Sequence, residues 1–268
     1  MPRLALVTGA STGIGRACAL HLAGLGFHVL AGVRDPADAP DGLEPLRLDV
    51  TSEEDVAAAA ERVGAELHAL VNNAGIAVHG PVEVVPLDEW RRIVEINLLG
   101  QVAVTRALLP AILRARGRVV NMSSIGGRVA NPLFGPYSAT KFALEAVSDA
   151  LRREVAAHSV KVVSIEPGGI ATPIWDKGLD DGRRIMADTP EEAARRYARL
   201  IPAVTKVAER LAREGLPPEA VAEVVGKAVT ARRPRARYVV GRDAKIQAIA
   251  ARLLPDRVLD AVIARALT

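Results

Sequence analysis

Short apolar runs alternate along this chain with longer Ala/Leu/Arg-rich segments of helical period. The runs are residues 4–8, 28–33, 44–49, 69–72, 118–123, 161–166 and 238–240. Between them lie the helical patterns 14–25, 53–63, 87–114 and 137–158. The runs are hydrophobic almost throughout rather than at every second residue. A strand reads that way when both faces of its sheet are covered. Strand–helix alternation of this kind predicts a doubly wound α/β fold, a parallel sheet with helices on both faces. With 268 residues, half of them apolar, the chain has enough core for one such domain spanning 1–268. No internal repeat and no flexible linker divides it.

The first run passes into Thr8-Gly9-Ala10-Ser11-Thr12-Gly13-Ile14-Gly15 and then a helix. Glycines there allow a tight turn and close approach of a pyrophosphate to backbone N–H groups, and the helix N-terminus adds a favourable dipole. The spacing is Gly-x-x-x-Gly-x-Gly, and its place between strand and helix makes it a candidate nucleotide site.

A second group carries chemistry. Tyr137 and Lys141 are four residues apart, so in a helix they share a face. A phenol titrates near ~10 and is a poor base at neutral pH. A neighbouring ammonium favours the phenolate, so Lys141 is expected to lower the Tyr137 pKa. Ser124 stands thirteen residues before the tyrosine, and Ser123 competes for its role. The one cysteine, Cys18, lies on the apolar side of a helix and reads as a buried structural thiol. No metal site is expected.

These elements occur together in one order. TGASTGIG, NNAG (72–75), Asn97, Ser124, YSATK and PGGIATP (167–173) resemble the short-chain dehydrogenase/reductase family over essentially the whole chain. The resemblance implies a Rossmann-type, seven-stranded parallel sheet with a nicotinamide cofactor across the carboxyl ends of the strands. Tyr137 would be the acid/base. Lys141 would hold the nicotinamide ribose, Ser124 would bond the substrate oxygen, and Asn97 would hold a water linking Lys141 to solvent. Gly9, Ser11, Thr12, Gly13, Ile14 and Gly15 would form the phosphate turn. Asn73, Ala74 and Gly75 would pack on the adenosine side, and Asp49 and Val50 would meet the adenine. Pro167, Gly168, Ile170 and Thr172 would flank the nicotinamide. A regulator that binds the cofactor without turnover is the alternative of a different class. The presence of Asn97, Ser124, Tyr137 and Lys141 argues for an enzyme.

Cofactor choice rests on the end of the second strand, HVLAGVRDP. A carboxylate there would bind a ribose 2′-hydroxyl and repel a 2′-phosphate. The usual acidic position falls on Val33, and Arg34 follows. Arginine pairs well with phosphate, so NADP(H) is favoured over NAD(H). Asp35 is the complication, since it could neutralise Arg34.

The C-terminal half resembles the branch with retinol, 17-beta-hydroxysteroid and 3-hydroxybutyrate dehydrogenases, most clearly over 234–245. Residues 174–218 interrupt the strand–helix rhythm and read as a helical substrate lid. Ile174, Trp175, Met186, Tyr197, Leu200 and Ile201 are candidate pocket walls there. Ile125, Val129, Leu133 and Phe134 lie between serine and tyrosine, where substrate must pass. Ile125, Phe134 and Trp175 are the leading substrate contacts. Together they favour a lipophilic carbonyl or alcohol, steroid- or retinoid-like. A small 3-hydroxyacid is the alternative, with Lys177, Arg183 or Arg184 as its cationic anchor.

Net charge is +4, concentrated in a basic C-terminal extension, 232–268, with nine Lys/Arg against three Asp/Glu. A solvated helical face is the favoured reading of the basic residues, and attraction to an anionic partner or membrane surface the lesser one, while the apolar stripe of the last helix (Leu253, Leu254, Val258, Leu259, Val262, Ile263) is expected to pack on the body or a partner subunit. Nucleic acid is not expected, since aromatics are 3% of residues and no recognition motif is present. One cysteine and no leader pattern fit a reducing cytoplasm. Broad apolar content on the two long helices suggests a homodimer or homotetramer.

Overall fold

The computed structural model describes residues 2–266; the last two residues of the basic extension lie outside the described ones. Strands β1 (Arg3–Thr8), β2 (Phe27–Val33), β3 (Glu44–Arg47), β4 (Ala69–Asn72), β5 (Arg118–Met122), β6 (Lys161–Pro167) and β7 (Arg237–Val240) form one sheet. Their order is β3-β2-β1-β4-β5-β6-β7, and each neighbouring pair is parallel. All seven expected runs are strands. The third ends two residues earlier than expected, because the Asp49 N–H is taken by the Asp55 carboxylate at 2.9 Å and the chain leaves the ladder.

Alternate residues of each strand feed opposite layers. Ala5 and Val7 face one core with Val71, Val120 and Val163, against Cys18 and Leu22 of α1 (Gly13–Gly24) and Val221 and Val225 of α9 (Pro218–Thr230). Leu6, Leu30 and Leu70 face the other, against Val56 of α2 (Glu53–Val63) and Val104, Leu108 and Ile112 of α4 (Gly100–Ala115). Cys18 is fully buried, and burial pushes its thiol up to about 12, consistent with a structural role.

The expected single helix over 87–114 is interrupted. α3 (Leu87–Val94) passes into a π-helical turn, Glu95–Leu99, before α4. The extra residue per turn leaves the apolar pattern almost unchanged, so periodicity does not show it. α5 (Gly135–Glu154) carries the Tyr137–Lys141 pair. The 174–218 segment is helical, as expected: α6 (Ile174–Ala187), α7 (Glu191–Tyr197) and α8 (Leu200–Glu214). The tail forms α10 (Arg242–Leu253) and α11 (Asp256–Ala266). Strand order reverses between β1 and β4, and a cleft outside the carboxyl ends of the strands is expected there.

Candidate active site

The glycine turn leaves β1 with Gly9 at φ 66° and Gly13 at φ 54°, the left-handed region glycine tolerates. Gly15 is needed for a different reason. A Cβ there would lie 2.1 Å from the Gly9 carbonyl oxygen and 2.4 Å from Asn73 Nδ2. Asn73 ties the turn to β4: its Nδ2 donates to the Thr8 and Gly9 carbonyls at 3.0 and 3.2 Å, and its N–H donates to Thr8 Oγ1 at 2.9 Å. Thr12 stands at the N-cap of α1, but its hydroxyl makes no capping bond. The first N–H groups of the helix therefore face the cleft without a side-chain acceptor, a ready site for an anion.

That cleft is about 950 Å³ in volume. It brings together Gly9, Ser11, Thr12, Gly13, Ile14, Gly15, Arg34, Asp49, Val50, Asn73, Ala74 and Gly75 at one end, and Ser124, Tyr137, Lys141, Pro167, Gly168, Ile170 and Thr172 at the other. Arg34 is exposed at its rim. Among the described residues it has no ion pair. Asp35, named above as its possible neutraliser, instead accepts from the Ala37 N–H at 3.0 Å and caps a short turn. The Asp49 carboxylate is engaged by Thr51, accepting from its N–H at 2.9 Å and its hydroxyl at 2.7 Å.

Lys141 is 4% exposed, and its Nζ donates to the Met122 carbonyl at 2.8 Å while lying 5.6 Å from the Tyr137 ring centre. Burial pulls its pKa down to about 8, against the pull of the Glu145 carboxylate one turn on. The Tyr137 shift runs opposite to expectation. Burial raises its pKa, and the opposing influence is a hydrogen bond with Ser124, not the ammonium. Tyr137 keeps part of its surface open to the cleft, so its desolvation is that of a wall residue rather than a core one. Ser124 also accepts from the Gly126 N–H at 3.0 Å. Ser123 is buried with its hydroxyl unpartnered, which leaves Ser124 as the serine in contact with Tyr137. Asn97 sits in the π-helical turn, fully buried. Its Oδ1 accepts from the Ile76 N–H and its Nδ2 donates to the Ile76 carbonyl, both at 2.8 Å, and also to Thr140 Oγ1 at 3.3 Å. The amide is committed to fixing the strand-end loop and α5, and Asn97 is not among the cleft-lining residues.

The model of the family described as "short chain dehydrogenase" matches residues 3–181. The chain belongs to the short-chain dehydrogenase/reductase family. It is 38% identical over 277 residues to an NADPH-dependent 3-dehydrocapnine reductase of Ornithobacterium rhinotracheale, covering 97% of this chain and 95% of that one. It is 39% identical over 275 residues to mouse (Mus musculus) retinol dehydrogenase 5, covering 96% and 86%. A short chain dehydrogenase of Burkholderia cenocepacia solved with NADP superposes with a TM-score of 0.77 at 27% identity, covering 100% and 98%; a 3-ketoacyl-(acyl-carrier-protein) reductase of Brucella melitensis, TM-score 0.70 at 27% identity, covering 90% and 98%, was solved with NADH. Membership carries the reaction class, oxidoreduction with a nicotinamide cofactor.

In this short-chain dehydrogenase/reductase the substrate end of the cleft departs from the expected list. Ile125, Val129, Phe134, Ile174 and Trp175 do border it. Met186, Tyr197, Leu200 and Ile201 do not; Tyr197 donates to Glu83 at 2.7 Å on the outside of the lid. Leu133 is also absent from the wall, and its carbonyl accepts from the Gly80 N–H. Further along α8, Val204, Val207 and Leu211 line the cleft, joined by Ile246 and Ala250 of α10 and Leu259, Val262 and Ile263 of α11. The tail is therefore not simply a solvated face. Its apolar stripe borders the cleft, with Ile246 and Val262 still exposed. Arg183 and Arg184 are engaged by Asp180, Glu89 and Asp181 and do not border the cleft, whereas Lys177 does.

Two features were not anticipated. Behind Lys141, a charge cluster joins Glu145 of α5, Arg237 of β7, Glu166 of β6 and Arg128. Glu166 is fully buried, and burial raises its pKa against the pull of Arg128. Glu145 is four residues after Lys141, and that spacing was the available signal. His79 is the other. It borders the cleft beside Phe134 and Trp175, and nothing in its local sequence marks it.

Proposed function

We propose that this enzyme interconverts a lipophilic carbonyl compound and its alcohol with NADP(H), using Ser124, Tyr137 and Lys141. The observation that carries the reading is their shared position at the junction of a polar, glycine-lined cleft end and an apolar one. The glycine turn leaves room for a pyrophosphate at the open N-terminus of α1, so the residues present fit a dinucleotide. Gly9, Gly13, Gly15, Asn73 and Ala74 would border its phosphates and adenosine, and Pro167, Gly168, Ile170 and Thr172 its nicotinamide. The unpaired Arg34 at the rim supports recognition of a 2′-phosphate.

When bound, the cofactor supplies or accepts the hydride at the carbonyl carbon. Everything else falls to the protein. As that carbon is reduced, negative charge builds on its oxygen. The Ser124 hydroxyl donates a hydrogen bond to it, and Tyr137 donates a hydrogen bond and then its proton. The raised pKa of Tyr137 keeps the phenol protonated at neutral pH, the form that reduction needs. Lys141, at about 8, is mostly protonated there. Its positive charge stabilises the phenolate left behind, although in this state it does not set the tyrosine pKa. Oxidation would run the same path from the phenolate. Asn97, with its amide committed, would act by holding the loop at Ile76 and α5 in register. The apolar lining from α8, α10 and α11 favours a lipophilic substrate; of the three candidate anchors for a small hydroxyacid, only Lys177 borders the cleft.

The test is NADPH oxidation across steroid, retinoid and short ketoacid carbonyls, with Tyr137→Phe as control. Turnover of the hydrophobic ketones, lost about 10³-fold or more in the variant with NADPH affinity retained, is the expected result. Wild-type rates in Tyr137→Phe would sink the assignment. We further propose a homo-oligomer paired through α4 and α5, where Leu99, in the π-helical turn that leads into α4, and Phe142 of α5 stay exposed; light scattering reads its mass.

A further inference from the structure

We propose that His79 recognises a second, neutral oxygen of the substrate, a hydroxyl or keto group remote from the reacting carbonyl. The inference rests on the carbonyl-reductase reading and narrows its substrate class. His79 is 5% exposed, borders the substrate end of the cleft, and keeps Nδ1 without a hydrogen-bond partner. A buried polar atom left unmade is costly, and native structures rarely retain one without water, ion or ligand to meet it.

The ring is held in place on several sides. Phe134 stacks on it with centroids 4.4 Å apart, and Trp175 lies 6.2 Å away. Trp175 is itself fixed by its Nε1 donating to the Ile170 carbonyl at 2.7 Å. Lid helix α6 covers the imidazole at a glycine: a Cβ on Gly178 would come within 2.8 to 3.1 Å of three ring atoms. One turn on, a Cβ on Gly182 would lie 3.1 Å from the His79 carbonyl oxygen. The backbone of α6 thus meets His79 directly, and Phe134, which shares the ring stack, precedes Tyr137 by three residues.

The chemistry of the ring sets the class of group it can read. Burial pulls the imidazole down to about 4, against the attraction of Asp181, so it is neutral at physiological pH. A neutral imidazole has one donating and one accepting nitrogen. It suits a hydroxyl, which can do either, or a keto oxygen. It does not suit a carboxylate, because the charge acting on the ring is the Asp181 anion, and Arg92, which borders the same end, is paired with Asp181 and Glu89. A purely hydrocarbon substrate would be served as well by phenylalanine at this position. The lining therefore predicts an amphipathic ligand, with the reacting carbonyl at Ser124 and Tyr137 and a second oxygen at the cleft-facing edge of His79.

The test uses the full chain saturated with NADP⁺ and calorimetric titration with matched cyclic ketones. Each pair differs only by one distal hydroxyl, placed at increasing distance from the carbonyl. In the wild type, at least one hydroxylated member should bind about tenfold tighter than its deoxy partner. His79→Phe, which keeps the ring stack, should erase that gain while leaving the deoxy ketone within about twofold. His79→Gln, with donor and acceptor retained, should restore part of it. No gain for any hydroxylated member, or a gain that survives in His79→Phe, overturns the proposal. NADPH turnover of the deoxy ketones is read in the same samples. Turnover without hydroxyl selectivity would leave the reductase reading standing and His79 excluded. Hydroxyl-dependent binding without turnover would do the reverse. If NADP⁺ does not bind, the titrations are repeated with NAD⁺.

Discussion

The two ends of the cleft are built from different materials. At the cofactor end the wall is backbone: strand termini, a glycine turn with Gly9 and Gly13 at positive φ, and Asn73 stitching β1 to β4. At the substrate end the wall is side chains on lid and tail helices, α6, α8, α10 and α11, held outside by ion pairs such as Arg184 to Glu89 and Arg92 to Asp181. A backbone wall reads a part of a ligand that does not vary, and substitution there is met by steric refusal. A side-chain wall can be changed residue by residue without disturbing the sheet. This is where one member of a family acquires its own substrate.

The contrast can be broken most severely at Gly15. Gly15→Val places its Cβ 2.1 Å from the Gly9 carbonyl oxygen, deep inside van der Waals contact. Loss of NADPH binding, with or without loss of the folded far-ultraviolet spectrum, is expected by calorimetry and circular dichroism. The matched change on the lid, Gly178→Ala, crowds the His79 ring. It should raise the KM for bulky ketones about tenfold and leave cofactor affinity within about twofold. Equal damage to both ends would mean the two walls are one mechanical unit.

Next in size is the charge cluster behind both ends. Arg237 bridges Glu145, Asp149 and Glu166, and Arg237→Leu leaves buried carboxylates short of a partner. A loss of about 2–4 kcal/mol in urea unfolding is expected, less than for an isolated pair because Arg128 still serves Glu166. An unchanged midpoint would show that Arg128 alone suffices.

Arg34→Leu should act on one end only. Removing a charge-assisted contact costs roughly 1.5–3 kcal/mol, so the NADPH-over-NADH ratio of kcat/KM should fall about 10- to 100-fold. An unchanged ratio would refute phosphate reading by Arg34.

The smallest effect is at the substrate end and depends on pH. His79 has its folded pKa depressed to about 4 from an unfolded value near ~6.5. Between these values the unfolded chain binds the proton more readily, so stability falls as pH drops through that window. The contribution amounts to about 2 kcal/mol between neutrality and pH ~5. His79→Phe should flatten that limb of the stability curve, measured by urea midpoints from about pH 7 to about pH 5. A parallel curve for wild type and variant would place the histidine in solvent.

Legibility followed the same divide. Glycine spacing, the Tyr137–Lys141 pair and Ser124 were readable because each depends on local chain geometry, which sequence distance specifies. The helix over 87–114 was readable as a helix, yet its π-helical turn at Glu95–Leu99 was not, because one extra residue barely alters an apolar pattern. On the lid, Met186, Tyr197, Leu200 and Ile201 satisfied helical spacing as well as Val204, Val207 and Leu211 did. An amphipathic period states that a helix has an apolar face, not which neighbour that face meets. The tail shows the same limit. Spacing marks an apolar stripe on its last helix, expected to pack on the body or a partner subunit, and only the structure turns Leu259, Val262 and Ile263 toward the cleft.

By itself, then, the sequence determined the layered sheet and the glycine turn that opens α1, and it brought Ser124, Tyr137 and Lys141 forward as candidate reacting residues, all from short segments. Only the tertiary structure decided which helix faces enclose the substrate, that burial rather than Lys141 governs the Tyr137 phenol, and that His79 stands unpartnered against the lid. Desolvation and long-range packing depend on residues far apart in the chain, and their balance exists only once those residues have met.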